Sequence, residues 1–227
     1  MTKRNRFFIT GTDTEVGKTF IACAILQKAK TQGLSTAALK PLAAGCELIN
    51  GQQRNEDALN LMEFSTVRMP YQTVNPIALS EPVAPHIAAA REGKQLQAAR
   101  LEGFVRGAFT TPADFWLVEG AGGWFVPLNQ RETLADLAMA LQLPVILVVS
   151  IRLGCINHAL LTVAAIKNSG LPLAGWVANG TVDDTPALQE NIDTLRALIP
   201  APLLGSVPWC ESPKNAANYL NIDALID

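Results

Sequence analysis

At 227 residues, 49% of them apolar, the chain is long enough to bury one substantial core and short of the length at which domains divide, so one domain over 1–227 is expected. Charged side chains make up only 17%, and 18 basic against 20 acidic groups leave a formal charge of −2 without a concentrated basic stripe, which argues against a nucleic-acid binder or a cationic membrane protein. The longest apolar run, Pro144 to Ile151, is strand-sized, and Lys3, Arg4 and Arg6 precede only Phe7, Phe8 and Ile9 before Thr10, so neither a membrane span nor a signal peptide is expected and the chain reads as cytoplasmic.

Arg6 to Thr10 reads as the first strand and runs into Gly11-Thr12-Asp13-Thr14-Glu15-Val16-Gly17-Lys18-Thr19. Phe20, Ile21, Ala24 and Ile25 then share one helical face. A glycine-bounded turn between strand and helix is the setting of a phosphate-binding loop, whose backbone N–H groups cradle phosphate oxygens. Lys18 fits the lysine that reaches the β and γ phosphates, and Thr19 the hydroxyl that ligates Mg²⁺. Five residues separate Gly11 from Gly17, and Thr12 stands in the place of the usual first glycine, so the generic motif is not met.

Thr36 to Lys40 reads as the second strand, and Pro41 forces the chain out of it. Residues 45–68 and 70–85 are less regular and are expected to pass over the ligand edge of the sheet. Within them Asp57 is either a metal ligand or one acid in a charged surface stretch. Leu101, Phe104, Val105 and Ala108 form a helical face. Phe115 to Glu119 is an apolar strand ending in a carboxylate and turning through Gly120, Ala121, Gly122 and Gly123; Glu119 suits a metal-holding acid at a strand's carboxyl end, or a cap before a tight turn.

Thr133 and Asp136 resemble a capping box ahead of Leu134, Leu137, Ala138 and Leu141. After the strand Val145 to Ser150, Gly154-Cys155-Ile156-Asn157 opens a helix with Leu160, Leu161 and Ala164 as its face and Lys167 at its wet end; its first N–H groups suit an anion. Leu173 to Asn179 and Leu203 to Val207 are further strands. Between them Leu188, Ile192, Leu195 and Ile199 form a helical face, with Thr185 and Pro186 suited to N-cap and N1. Gly33 and Gly170 stand where helices end. Strand and helix thus alternate, which predicts an α/β domain of three layers around a doubly wound sheet. Cys23, Cys46, Cys155 and Cys210 form no CxxC pair and have only His86 and His158 to join them, so reduced, mostly packed thiols are expected rather than zinc ligands or disulfides.

Taken together these residues resemble the dethiobiotin synthetase family, nearly end to end. The resemblance rests on Gly11 through Thr19, Lys40 through Gly45, Arg54 through Asp57, Val74-Asn75-Pro76, Val118 through Trp124, Leu153 through Ala159, Ala174 through Asn179, and Pro202 through Trp209. The loop spacing that fails the generic motif is that family's own form. The resemblance implies a mostly parallel sheet of the P-loop NTPase type, a homodimer with sites shared between subunits, and Mg²⁺ with ATP as co-substrate. It implies 7,8-diaminononanoate (7,8-diaminopelargonate) and CO₂ as substrates: one amine forms a carbamate, the carbamate attacks the γ-phosphorus, and the second amine closes the ring.

By the same resemblance, Lys40, Lys18 and Thr12 are implied as catalytic, supplying charge and a donor to a carbamate approaching a triphosphate. Thr19, Asp57 and Glu119 are implied as Mg²⁺ ligands. Nucleotide contacts fall on Glu15, Val16, Gly17, Lys18, Thr19, Phe20, Asp57, Glu119, Gly120, Ala121 and Gly122, with the adenine at Asn179, Gly180, Pro208, Trp209, Cys210 and Lys214. Thr12, Lys40 and Ala44 face the diamine, and Gly154, Cys155, Ile156 and Asn157 of the other subunit receive its carboxylate. His86 and His158 are read as structural. Ala44 replaces a serine common in the family, and Lys214 stands where some members carry an acid. Lys40 is expected to be a lone buried lysine awaiting its anions. Two other readings remain: a related ATP-dependent ligase acting on another amine, and a dimeric P-loop ATPase switch, although Ile9-Thr10-Gly11 lacks the lysine that marks such switches.

Overall fold

The computed structural model describes residues 5–180 and 187–226. Its elements begin with β1 (Asn5–Gly11), α1 (Lys18–Thr31), β2 (Thr36–Leu39), β3 (Leu42–Ala43), β4 (Glu47–Ile49), β5 (Gln52–Arg54), α2 (Glu56–Phe64), α3 (Tyr71–Val74) and β6 (Ile77–Ala78). They continue with α4 (Pro85–Arg91), α5 (Ala98–Ala108), β7 (Phe115–Glu119), α6 (Leu134–Leu141), β8 (Val145–Ser150), α7 (Cys155–Asn168), β9 (Leu173–Asn179), α8 (Leu188–Leu198), β10 (Leu203–Val207) and α9 (Pro213–Ala216).

The main sheet has six strands in the order β10-β9-β8-β1-β7-β2, every neighbouring pair parallel. All six strands expected from the sequence form, with ends shifted by at most one residue. Side chains alternate across the sheet. Phe7 and Ile9 of β1 join Phe115, Leu117, Ile146 and Val148 beneath α1, while Phe8, Trp116 and Val118 face α5 and α6 on the other side. Farther along that second face, Leu147, Val149, Trp176 and Ala178 pack against α7 and α8. The result is the expected three-layer α/β arrangement, and parallel strands gather all their carboxyl ends on one edge.

The helix ends follow local chemistry. The Thr133 backbone N–H donates to Asp136 Oδ2 at 2.6 Å, completing the capping box, and Gly33 and Gly170 follow the ends of α1 and α7. The expected caps Thr185 and Pro186 lie outside the described residues, and α8 runs from Leu188.

Three expectations need correction. The buried face of α5 is Leu101, Val105 and Ala108; Phe104 is exposed, with the Arg100 guanidinium 5.7 Å from its ring centroid. Helix α7 buries Cys155, Ala159, Val163 and Ile166 against β8 and β9, with the expected Leu160 packed partly buried beside them, while Leu161 and Ala164 are exposed. Residues 45–85 are also more ordered than expected: β4 and β5 form an antiparallel hairpin, β3 and β6 a short parallel pair, and α2 carries Asp57.

Candidate nucleotide and metal site

The loop between β1 and α1 is shaped by two left-handed residues, Glu15 (φ 58) and Gly17 (φ 83). At Gly17 the bare Cα is required twice over: its φ strains any side chain, and a Cβ there would fall 2.2 Å from Asn179 Nδ2. That amide, at the carboxyl end of β9, donates to the Val16 carbonyl at 2.9 Å and pins the loop from below. Lys18 Nζ folds back to donate to the Asp13 carbonyl at 2.8 Å. Burial pushes the Lys18 ammonium down to about pKa 8, and repulsion from Lys40 adds to the effect.

Four further groups converge beside the loop. Lys40, one residue past β2, donates from Nζ to Glu119 Oε1 at 2.5 Å, to Asp57 Oδ2 at 2.9 Å and to the Gly120 carbonyl at 3.3 Å. Thr19 Oγ1 donates to the same Glu119 Oε1 at 2.8 Å. Burial alone would lower the Lys40 pKa, but the carboxylates of Glu119 and Asp57 outweigh it and hold the ammonium above its ordinary value. Burial likewise works against the Asp57 carboxylate, and the Lys40 charge overrides it, leaving Asp57 below the usual carboxylate range. Lys40 is therefore not the lone buried cation expected from the sequence: it is ion-paired within the protein, which removes most of the cost of burying it.

The donor set fits Mg²⁺. Glu119 Oε2 is buried without a hydrogen-bond partner, so the carboxylate keeps one oxygen for a ligand the protein does not supply. Thr19, Asp57 and Glu119 present hard oxygens, as that cation prefers. Among the described residues no cluster of three or more His, Cys, Asp or Glu side chains is arranged for a metal, so phosphate and water would have to complete the coordination shell.

A cavity of about 930 Å³ opens over this cluster, lined among the expected residues by Glu15, Gly17, Lys18, Thr19, Phe20, Lys40, Ala44, Asp57, Ala121 and Gly122. Glu119 and Gly120 lie buried behind them, as does Val16. Thr12 is outside the lining, its backbone N–H donating to the Val148 carbonyl at 3.1 Å. The Gly180 N–H donates to the Val207 carbonyl at 2.7 Å, joining the ends of β9 and β10. Pro208, Trp209, Cys210 and Lys214 occupy the segment after β10, which reaches the cavity through Glu211 and Pro213. Gly154, Cys155, Ile156 and Asn157 share the same edge of the sheet but do not line the cavity. Asn55, Asn60 and the stretch Pro82 to Pro85 do line it, and no spacing rule singled them out. The only local signal was Asn55 as a helix N-cap, and its Oδ1 does accept from the Ala58 N–H at 3.2 Å.

Comparison with known proteins shows the family and the fold. The chain is 55% identical over 226 residues to the ATP-dependent dethiobiotin synthetase BioD of Cellvibrio japonicus, covering 99% of each. It belongs to the dethiobiotin synthetase family. Identity is 54% over 217 residues with the enzyme of that name from Pseudomonas aeruginosa (96% of this chain, 95% of the relative), and 50% over 223 residues with BioD 1 of Escherichia coli K12 (97% and 99%). A family model described as an AAA domain matches residues 5–217. Among solved structures, the signal recognition particle receptor FtsY from Elizabethkingia anophelis superposes with a TM-score of 0.54 at 14% identity, over 100% of this chain and 67% of that one. Chloroplast FtsY from Physcomitrella patens gives 0.55 at 18% identity, over 100% and 67%. At such identities the likeness is one of fold, and the fold is the P-loop NTPase type within which this family member places its cluster.

Proposed function

We infer that the protein is a cyclo-ligase that carboxylates 7,8-diaminononanoate with CO₂ and closes the ureido ring, consuming ATP and giving dethiobiotin, ADP and phosphate in biotin biosynthesis. The observation that carries this reading is the convergence of Lys18, Thr19, Lys40, Asp57 and Glu119 at one mouth of the sheet, in a chain that shares half or more of its residues with three dethiobiotin synthetases.

The chemistry brings a carbamate anion to a triphosphate, and the protein's task is to make that approach electrostatically tolerable. On phosphate binding, Lys18 would exchange the Asp13 carbonyl for the β and γ phosphate oxygens, and the incoming negative charge would restore its full protonation. Lys40 stays protonated throughout, held by Glu119 and Asp57 in a direction fixed before substrate arrives. Thr19, Asp57 and Glu119 would hold Mg²⁺, which when bound neutralises phosphate charge. The carbamate oxygen attacks the γ-phosphorus as ADP leaves; the second amine then attacks the carbonyl carbon of the mixed anhydride, losing a proton as phosphate departs. The carbamate is itself the nucleophile, so no side chain need act as a base toward it. Asn179 directs its amide to the loop and the adenine to the same corner, alongside Gly180 and the 208–214 segment.

The assembly belongs to the same reading. Helix α7 leaves Leu161 62% exposed and the preceding Leu153 101% exposed, an apolar face that a second copy of the chain would cover. A homodimer paired there carries the N–H groups of Gly154 to Asn157 toward the partner's diamine carboxylate. One domain over 1–227 in the cytoplasm completes the proposal; among the described residues no helix is long and apolar enough to cross a membrane.

The test is ADP release by purified protein with Mg²⁺-ATP and bicarbonate, with and without 7,8-diaminononanoate, while ring-closed product is followed by mass. Release that requires the diamine and equals the dethiobiotin formed is expected. Release indifferent to the diamine would favour an ATPase switch, and tight ATP binding without turnover would favour another amine.

A further inference from the structure

Lys40 and Asp57 both lie outside the main sheet, so something other than the strand ladder must fix them. Pro41 ends the strand, and the buried polar groups of the Lys40 backbone need other partners. The Lys40 N–H donates to the Val74 carbonyl at 2.8 Å, and its carbonyl accepts from Asn75 Nδ2 at 2.6 Å. Asn75 Nδ2 also donates to the Ile77 carbonyl at 3.3 Å, while Asn75 Oδ1 accepts from the Tyr71 hydroxyl at 2.9 Å. That hydroxyl accepts in turn from the Asn55 backbone N–H at 2.7 Å. Asn55 is the N-cap of α2, whose first turn carries Asp57.

The polarity of this chain is fixed. A backbone N–H can only donate, so the hydroxyl must spend its single proton on Asn75 Oδ1, and both protons of the carboxamide go to carbonyls. The members are buried: Asn75 is 3%, Tyr71 7% and Asn55 8% exposed. Burial holds the Tyr71 hydroxyl above its ordinary pKa, so it remains a donor. A fully satisfied buried network with one proton arrangement has one geometry. It runs from the Lys40 backbone to the start of the Asp57 helix, and the 2.9 Å bond from Lys40 Nζ to Asp57 closes the ring.

We propose that Tyr71 and Asn75 are positioning residues: through them the Lys40 backbone and the N-terminus of α2 are held in one register, which aims Asp57 at the metal and Lys40 at the transferred phosphoryl group. The proposal rests on the functional reading above. Partners that orient metal ligands are typically worth 10- to 100-fold in metal affinity or activity.

The test uses Tyr71→Phe, which deletes one oxygen and keeps the ring over which the Arg54 guanidinium sits at 4.0 Å. Mg²⁺ binding to full-length protein saturated with a non-hydrolysable ATP analogue is measured by calorimetry, and steady-state turnover beside it. The Mg²⁺ concentration for half-saturation should rise at least tenfold and kcat fall at least tenfold, with the KM for ATP in excess Mg²⁺ within twofold of wild type. Ser65→Ala, which removes a buried bond to the Leu61 carbonyl at the far end of α2, should loosen the helix and leave metal binding unchanged. Should Tyr71→Phe fail to fold, Asn75→Ala carries the test, since it removes the donor to the Lys40 carbonyl without burying a charge. Unchanged Mg²⁺ binding in the folded variant, or an equal shift in Ser65→Ala, would overturn the proposal alone. Analogue binding by wild type that takes up no Mg²⁺ would overturn the metal reading and the proposal with it.

Discussion

The phosphate loop and the start of α7 are built alike and finished differently. Each lies at the carboxyl end of a neighbouring parallel strand, and each opens a helix through a left-handed glycine, Gly17 at φ 83 and Gly154 at φ 90. Around Gly17 the chain gathers two lysines, two carboxylates and a hydroxyl, and closes a cavity over them. Around Gly154 it leaves Arg152, Leu153, Asn157 and Leu161 exposed. One site is complete in a single chain; the other supplies donors and an apolar flank but no walls. In the proposed reading charge accounts for the difference, since a triphosphate needs several buried cations fixed in advance, whereas one carboxylate would be satisfied by a helix end that a second copy would bring up.

Breaking the first region should have the largest effect. Lys40→Gln keeps a donor toward Glu119 but removes the charge, and turnover should fall about 10²- to 10³-fold, the usual loss for a preorganised electrostatic donor. Lys40→Met also strands the Glu119 carboxylate, whose side chain is fully buried, and should cost about 3–5 kcal/mol of stability as well. Chemical denaturation of both variants checks the contrast; Lys40→Met as stable as Lys40→Gln would mean that water reaches Glu119.

The second region should break more gently and more selectively. Leu161→Asp places a charge on the exposed face of α7, where the monomer's own core is untouched. Sedimentation should show monomers, and the KM for the diamine should rise about 10- to 100-fold, matching the loss of a charge-assisted hydrogen bond of about 1.5–3 kcal/mol. ATP binding should be unaffected. A monomer with normal diamine KM would place the carboxylate site elsewhere.

The pH dependence that follows from Lys18 belongs to the first region. With Lys18 near pKa 8 in the free protein and returned to full charge by phosphate, ATP affinity should hold below pH 8 and fall about tenfold by pH 9, with proton uptake on binding above pH 8. Stability of the ligand-free protein runs the other way: between 8 and the ordinary value of 10.5 the unfolded chain binds more protons, so Lys18 destabilises the fold less as pH rises through that window. Calorimetry in buffers of different ionisation enthalpy reads the uptake; none at pH 9 would mean that Lys18 remains charged without nucleotide.

How much of this was legible beforehand depended on whether the signal was local. Several of the six strands are apolar at consecutive positions, as strands covered on both faces should be, and Lys18 and Thr19 are marked by their place after a strand and Glu119 by its place at the end of one. Phe104 of α5 and Leu161 and Ala164 of α7 depart from the expected faces because both helices carry apolar residues on more than one side, and only packing against the sheet decides which are buried. Asp57 reads from its local sequence as either a metal ligand or a surface acid, and the family resemblance favours the first; its pairing with Lys40, 17 residues away, is made by the fold and has no local signal. Asn55 and Asn75 fall in segments that carry the family resemblance, but nothing local marks Tyr71 or links the three, because a hydrogen-bonded chain through an N-cap, a helix and a loop has no sequence period to detect.

The smallest expected effect lies on the cavity wall between the two regions. Ala44 lines the cavity close to Lys40 in sequence, and its methyl group offers the diamine or carbamate no hydrogen bond. Ala44→Ser adds a hydroxyl to a residue already half-buried, so the side chain fits with little rearrangement. An ordinary hydrogen bond there would contribute roughly 0.5–1.5 kcal/mol, or about 2- to 10-fold tighter diamine binding, with ATP affinity and dimerisation unchanged. If the diamine KM stays where it was, water already makes that bond and the alanine is neutral at this position.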